Sequence, residues 1–291
     1  MSDQAPNSSL SPSQAVPSAT SVQPAFFEPG VVRIQTVNWG GLWSLYMKEV
    51  RRFFKVQLQT IWAPAITTLL FLIIFTVALG RGGRSVMGVP FGDFIAPGLI
   101  VMGMMQNAFA NSSFSLLVGK VQGTIVDYLM PPLSELEVLV ALVMAAVTRA
   151  ALVGFAVWLA MMLWPGISVG IDHFWAVFGF GLMGSMMLAF MGVLTSIWAE
   201  KFDHAAAITN FVVAPLSLLS GTFYSVEAMA PLFRTLSHAN PFFYVISGFR
   251  YGFVGTADSP VLIGLGVLMA INIVLGCTCY MILKTGWRLR S

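Results

Sequence analysis

Charge is scarce in this chain: of 291 residues only 9% are Asp, Glu, Lys or Arg, against 57% hydrophobic. A soluble domain carries roughly 25% charged residues, so an ordinary water-soluble globule is excluded and most of the length must sit in lipid. Cysteine is nearly absent too. Cys277 and Cys279 are the only two and lie in an apolar run, which excludes a disulfide framework and a cysteine zinc site. They read as small apolar side chains in a helix. The three histidines, His173, His204 and His238, are scattered over loops, so no metal or catalytic-triad constellation is visible. No GxxxxGKS/T phosphate loop occurs, and nothing in the composition points to nucleic acid. No Asp or Glu falls in the interior of the long apolar runs, Glu137 standing at the very start of one, and no inverted repeat is found. Proton- or sodium-coupled carriers usually rely on such carboxylates or on broken helices in paired halves. The energy source for any transport is therefore expected on another polypeptide.

What is present is a series of unbroken apolar runs. Barrel strands alternate apolar and polar residues, whereas these runs are long enough to cross the bilayer as helices. The chain is read as an all-α integral membrane protein with six spans at 60–80, 94–117, 136–163, 174–198, 205–223 and 260–283. Each is near the roughly 20 residues that a helix needs to cross about 30 Å of hydrocarbon. Ten Lys and Arg then fall on the inner side: Arg33, Lys48, Arg51, Arg52, Lys55, Lys120, Lys201, Lys284, Arg288 and Arg290. Arg81, Arg84, Arg234 and Arg250 fall outside. The positive-inside rule puts both termini in the cytoplasm. A seventh span at 242–255 is rejected: it is short, contains Arg250 and would move the basic C-terminus outside.

The first 24 residues hold seven Ser, four Pro and no Lys or Arg. Such a composition cannot bury a core, so 1–35 is expected to be a disordered cytoplasmic tail ahead of one membrane domain, 36–291. No basic n-region followed by an apolar h-region precedes Arg33, so the N-terminus is expected to be retained. Over 39–58 the pattern is helical and amphipathic. At about 100° per residue Trp39, Leu42, Trp43, Tyr46, Val50 and Phe53 share one face and Lys48, Arg51, Arg52 and Lys55 the other. That helix is expected in the membrane interface, its basic side toward anionic headgroups; a solvated helix with its apolar face on protein is compatible with the same pattern.

Two connecting stretches are informative. At 118–133 a helix-like pattern sets Val121, Ile125, Tyr128 and Leu129 on one side and Lys120, Gln122, Thr124 and Asp127 elsewhere, ending at Pro131 and Pro132. It reads as a docking helix. The external stretch 224–259 is punctuated by Pro231, Pro241 and several Gly yet stays apolar and aromatic. Irregular backbone at membrane depth survives only when covered by protein or lining water, so 224–255 is read as a re-entrant hairpin dipping in from outside.

Arg149, near the middle of the third span, is the only charge at the core of any span. Its insertion costs about 2.5 to 3.5 kcal/mol, and the Leu, Val and Phe residues of the same span return about 4 to 8 kcal/mol, so insertion wins and Arg149 must face protein or water. Two roles stay open: contact with an anionic headgroup or a switch in the bundle, and an internal hydrogen bond to a neighbouring helix. Gln106, Asn107, Asn111, Ser112 and Ser113 form a polar stripe on the second span. It either joins helices or lines a substrate path. The series Ala146/Ala150/Gly154 and Gly181/Ser185/Ala189 lets backbones approach closely.

These residues resemble one family, the permease subunits of ABC-2 type exporters. The stretch 215–255, PLSLLSGTFYSVEAMAPLFRTLSHANPFFYVISGFRYGFVG, is similar to that family's Ser-Gly-x-Phe-Tyr exit, Pro-bounded short helix, Asn-Pro and final Arg. KEVRRFF at 48–54 and FIAPGLIVMGMMQNAFAN at 94–111 add to the likeness, which covers about 40–291. The resemblance implies a homodimer in the bacterial inner membrane, each copy bound to a separate cassette ATPase that holds ATP and Mg, with no cofactor or catalysis on this chain. It implies a coupling helix at Lys120, Val121, Gln122, Thr124, Ile125, Asp127 and Tyr128, a second cassette contact at Lys201 and Asp203, and a connecting helix at Lys48, Arg51, Arg52 and Lys55. It also implies a path or gate drawn from Gln106, Asn107, Asn111, Arg149, Gly221, Phe223, Tyr224, Asn240, Pro241 and Arg250. A secondary carrier or channel, and a membrane enzyme acting on lipid, are the competing classes. The first lacks intramembrane carboxylates and the second lacks clustered polar ligands at one membrane face.

Overall fold

The computed structural model describes residues 37–79, 85–129, 131–164, 167–168, 170–226 and 229–287. The expected tail, Arg33, Arg81, Arg84, Arg288, Arg290 and the side chain of Asp127 lie outside the described residues. The described chain is mostly helical. Helix α1 is Trp39–Phe54, α2 is Ala63–Leu79, α3 is Phe91–Val121 and α4 is the single turn Val126–Leu129. There follow α5 (Glu135–Met162), α6 (Phe174–Trp198), α7 (Phe202–Ile208), α8 (Ala214–Leu219), α9 (Pro231–Ala239), α10 (Pro241–Val254) and α11 (Val261–Thr285). A two-residue antiparallel ribbon, Ser85–Val86 with Val89–Pro90, precedes α3.

Among the described residues five helical stretches are long and apolar enough to cross a membrane: Leu58–Ala78, Glu135–Met162, Phe174–Trp198, Phe202–Leu219 and Val261–Thr285. Two of them contain π-helical turns, Leu58–Trp62 ahead of α2 and Thr209–Val213 between α7 and α8. Each turn is followed by Ala-Pro, Pro64 and Pro215. Proline clashes with the carbonyl four residues back and donates no N–H, so the helix widens just before it. At the first turn the Thr60 hydroxyl is placed on the Phe53 and Val56 carbonyls.

Helix α3 is the buried centre. It packs most extensively on α6, then on α5, α10 and α2, and its residues dominate the main apolar core with Phe94, Ile95, Leu99, Ile100, Met105 and Phe109. The α3–α6 approach depends on Gly192, where an added Cβ would stand 2.7 Å from the Phe109 carbonyl oxygen and 2.7 Å from the Ser112 Cβ. Backbone cannot yield as a flexible side chain does. Gly192→Ala is therefore expected to destabilise the bundle by about 1–3 kcal/mol, the usual cost of overpacking, measured as a lowered thermal midpoint in detergent. The expected close packing at Gly154 and Gly181 is seen against Met104, and at Gly181 also against Phe249.

Helix α1 departs from the expected wheel. Its inward stripe is Leu45, Glu49 and Phe53, all buried, with Leu42 and Tyr46 partly covered, while Trp39 and Trp43 face outward beside Lys48, Arg51 and Lys55. Arg52, expected on the headgroup side, turns inward. Asn111 and Ser115 of α3 draw Arg52 and Glu49 in, so the packed face of α1 carries both charged residues beside apolar Leu45 and Phe53. Helix α1 also follows α5 along its length: Asn38 N–H donates to Glu137 Oε1 (2.6 Å), and eight residues on the Tyr46 hydroxyl meets Thr148 Oγ1 (3.0 Å). Glu137 belongs to a capping box with Ser134 that starts α5, so one carboxylate fixes the starts of both helices.

Candidate coupling face and translocation groove

At the end of the bundle that carries α4, α1 is locked to α3 and α4 through one carboxylate. Glu49 is fully buried. Its Oε1 accepts from the Tyr128 hydroxyl (2.9 Å), its Oε2 accepts from the Ser115 hydroxyl (2.8 Å), and Arg52 Nη2 stands 2.7 Å from the same Oε2. Arg52 also donates to the Asn111 carbonyl (2.9 Å) and to Ser115 Oγ (2.8 Å). Lys48 Nζ lies 3.7 Å above the Tyr128 ring. A carboxylate taken out of water costs several kcal/mol unless it is paired and hydrogen-bonded. Here both oxygens are engaged.

The expected docking helix over 118–133 is shorter than read. Helix α3 continues to Val121, the chain turns at Gln122–Thr124 through Gly123 at φ +72°, and only Val126–Leu129 form a separate helical turn. Gly123 is needed because that φ is the left-handed region. Ile125 and Tyr128 face the chain's own core, but Val121, placed with them by periodicity, is exposed together with Gln122, Thr124 and Val126. The break at Gly123 resets the helical phase, which a continuous wheel does not anticipate.

Lys120 is also turned inward. Its Nζ donates to the carbonyls of Ile197 and Ala199, capping the end of α6 with the charge that suits a helix C-terminus. The turn that follows is thereby held against α3, where Leu117, Ala199 and Ala205 pack with Phe114 and the Phe114 and Phe202 rings lie 5.8 Å apart. Lys201 and Asp203 are exposed there. Two turns thus share one end of the molecule, Val121–Val126 from one side and Lys201–Asp203 from the other.

Further along, Arg149 reaches from α5 to α3, its Nη2 donating to Asn107 Oδ1 (2.9 Å). Asn107 lines a groove of about 340 Å³ between α2 and α3, together with Gln59, Thr67, Thr68 and Gln106. Within the polar stripe Asn111 meets α1, Asn107 meets α5 and lines the groove with Gln106, and Ser112 and Ser113 are buried, Ser113 donating to the Ala110 carbonyl of its own helix; Ser115, outside the stripe, also meets α1.

At the opposite end stand the remaining expected gate residues, of which Arg250 meets Gly221 directly. Arg250 is fully buried. Nη1 pairs with Asp258 Oδ2 (2.5 Å), Nη2 donates to the Gly221 carbonyl (2.7 Å) and Nε to the Phe94 carbonyl (3.1 Å), with the Phe94 ring 3.8 Å away. Asp258 also accepts from the Ser225 hydroxyl (2.7 Å). Four segments meet on one guanidinium: the start of α3, the turn after α8, α10 and the approach to α11. Gly221 has φ +79°, which turns its carbonyl into this site. Phe223 packs on Phe75 of α2 (4.5 Å between centroids), and the Tyr224 hydroxyl donates to the Leu218 carbonyl (2.9 Å). Asn240 caps α10 through Phe242 N–H, with Pro241 in the first turn, and its Nδ2 donates to the Leu216 carbonyl (2.7 Å).

Glu49 and Asp258 are site residues that the sequence reading does not include. The signal for Glu49 was present: it sits between Leu45 and Phe53 at four-residue spacing, a carboxylate inside an apolar stripe.

The family model of the ABC-2 type transporter matches residues 41–254. Inner membrane transport permease YadH of Escherichia coli K12 is 34% identical over 254 residues, 87% of this chain and 98% of that protein. Nodulation protein J of Rhizobium leguminosarum bv. viciae is 24% identical over 237 residues, 80% of this chain and 88% of the relative. With more than half its length matched and a full-length relative at 34% identity, the chain belongs to the ABC-2 type transporter family and is a multi-pass transmembrane permease of the bacterial inner membrane.

Proposed function

We propose that this permease is one half of a homodimeric exporter, each copy driven from the cytoplasm by a separate cassette ATPase that holds the nucleotide and Mg. The observation that carries the reading is the pairing of two exposed turns, Val121–Val126 and Lys201–Asp203, at one end of the bundle and tied by Lys120. On this reading that end is cytoplasmic, as are both termini, and the two turns are the cassette-docking face. Tyr128 and Ile125 hold the turn from behind rather than touching the cassette. The outward face of α1, with Trp39 and Trp43 beside Lys48, Arg51 and Lys55, suits contact with the lipid headgroup layer.

Helix α3 is the sixth span. Its 31 residues reach about 46 Å at 1.5 Å per residue, enough to cross, and its polar side chains are those that meet α1 and α5. The pair α9–α10 is the re-entrant hairpin. Support comes from Val245, near the start of α10, which packs on Gly184, ten residues and about 15 Å inside α6. By Gly252 the chain is back beside His173 at the start of α6. Polar Gln59 and Thr67 are exposed on the groove side of α2, and such groups suit a second copy and a watered path better than hydrocarbon.

The test is purification of the tagged chain from native membranes in mild detergent, with an ATPase expected at about equal copy number. Val126 is exposed, so Val126→Asp should leave folding intact. Yet it should weaken recovery of the ATPase roughly tenfold or more, the scale of losing one interface anchor. Undiminished recovery from Val126→Asp and from Lys201→Glu would remove these turns as the docking face.

A further inference from the structure

The groove between α2 and α3 has two chemically different ends. Gln59, Thr68, Gln106 and Asn107 lie toward α1, and Phe71 and Leu99 lie further along the same two helices. Behind Asn107 stands Arg149, fourteen residues and about 21 Å into α5. One of its donors is used on Asn107, and its Nε is buried with no hydrogen-bond partner. Among the described residues neither ion pair includes it. The neighbouring charge that acts on it is the like charge of Arg52, which Glu49 already neutralises. One positive charge in this cluster is thus unmatched, at a depth where charge is costly and retained for contact with a counter-charge or water.

We propose that the groove binds an anionic amphiphile, its phosphate or carboxylate head held by Arg149 beside Asn107 and its hydrocarbon tail lying along Phe71 and Leu99. This rests on the reading of the groove as part of the permease path and names the substrate class for it. A guanidinium presents a planar set of donors matched to phosphate and carboxylate oxygens. A cationic head meets repulsion from the same group, and a headgroup without a tail leaves the apolar half of the groove unused. Asn107 supplies the link, since it accepts from Arg149 and also lines the groove.

The experiment is titration calorimetry on the full chain in a neutral maltoside, with dodecyl phosphate, dodecylphosphocholine and dodecyltrimethylammonium as probes and inorganic phosphate as competitor. Dodecyl phosphate is expected to bind tightest and the cationic probe weakest. Arg149→Gln should weaken dodecyl phosphate roughly ten- to hundredfold, the factor for losing a charge-assisted hydrogen bond, and dodecylphosphocholine less, because its own ammonium already offsets the phosphate charge. Arg149→Lys should keep the order of preference, which separates loss of charge from loss of folding. Thr67→Trp, at an exposed position on the groove wall, should weaken every amphiphile alike. Equal affinity for the three heads, or an unchanged preference in Arg149→Gln, overturns the proposal. So does inorganic phosphate competing as well as dodecyl phosphate, or binding that ignores Thr67→Trp. If Arg149→Gln keeps its preference and still recovers the ATPase, the headgroup inference alone falls and the permease reading stands.

Discussion

Arg250→Ala is expected to cost about 3–5 kcal/mol of stability, the scale for breaking a buried ion pair by removing one partner. The variant should be recovered in low yield with a sharply lowered thermal midpoint. The reason lies in what the truncation leaves behind. Asp258 keeps its bond from Ser225 but loses its counter-charge. The carbonyls of Phe94 and Gly221 lose their donors, and an unpaired buried acceptor carries its own desolvation cost. Arg250→Lys tests the geometry separately from the charge. A lysine ammonium can satisfy Asp258 but cannot spread donors to all three acceptors, so an intermediate loss is expected. In the double variant Arg250→Ala/Asp258→Ala the orphaned carboxylate is gone, and the loss should be smaller than the sum of the two single losses. A stability of Arg250→Ala equal to that of the parent would show that the clamp does not hold this end of the bundle together.

The two charged clusters are built from contacts that local sequence patterns do not encode. The long helices were legible because hydrocarbon demands an uninterrupted apolar run. The spans read at 174–198, 260–283 and 136–163 correspond to Phe174–Trp198, Val261–Thr285 and Glu135–Met162. The run at 94–117 is legible in the same way, and its Gln, Asn and Ser stripe marks a face that meets other helices or a path rather than lipid. Charge-counting sends Arg250 to the outside, because it assigns each residue to a compartment, whereas a buried pair belongs to neither. Its counter-charge, Asp258, sits after α10, and its other partners lie 29 and 156 residues away. No local pattern reports contacts of that range. The same holds for α1. A hydrophobic wheel turns charged residues outward by default, which sends Arg52 toward lipid and leaves Glu49 unremarked, because the hydroxyls that draw the Glu49–Arg52 pair inward lie on α3 and α4.

Glu49→Ala is expected to release α4 while leaving the membrane bundle inserted. The carboxylate holds Tyr128, Ser115 and Arg52 together, and with it gone Arg52 keeps Asn111 and Ser115 but loses its counter-charge. Because Arg52 is 28% exposed, water offsets part of that loss, so a cost of about 3 kcal/mol, the low end for a broken buried pair, is expected. Most of it should fall locally, in the turn that follows Gly123. Hydrogen exchange on the full chain reads this directly, as faster exchange at Val126–Leu129 with α6 and α11 unchanged. Tyr128→Phe removes a single hydrogen bond and should cost only about 1 kcal/mol, with the same regional pattern in weaker form. If the proposed docking face transmits the stroke of the cassette, the loosened turn should let the ATPase bind and hydrolyse while transport falls, because displacement of α4 no longer reaches α1 and α3. Exchange in α4 identical to the parent in both variants would mean that the turn is held by Ile125 and its apolar neighbours. Transport would then survive the loss of Glu49, and its burial would serve only the packing of α1.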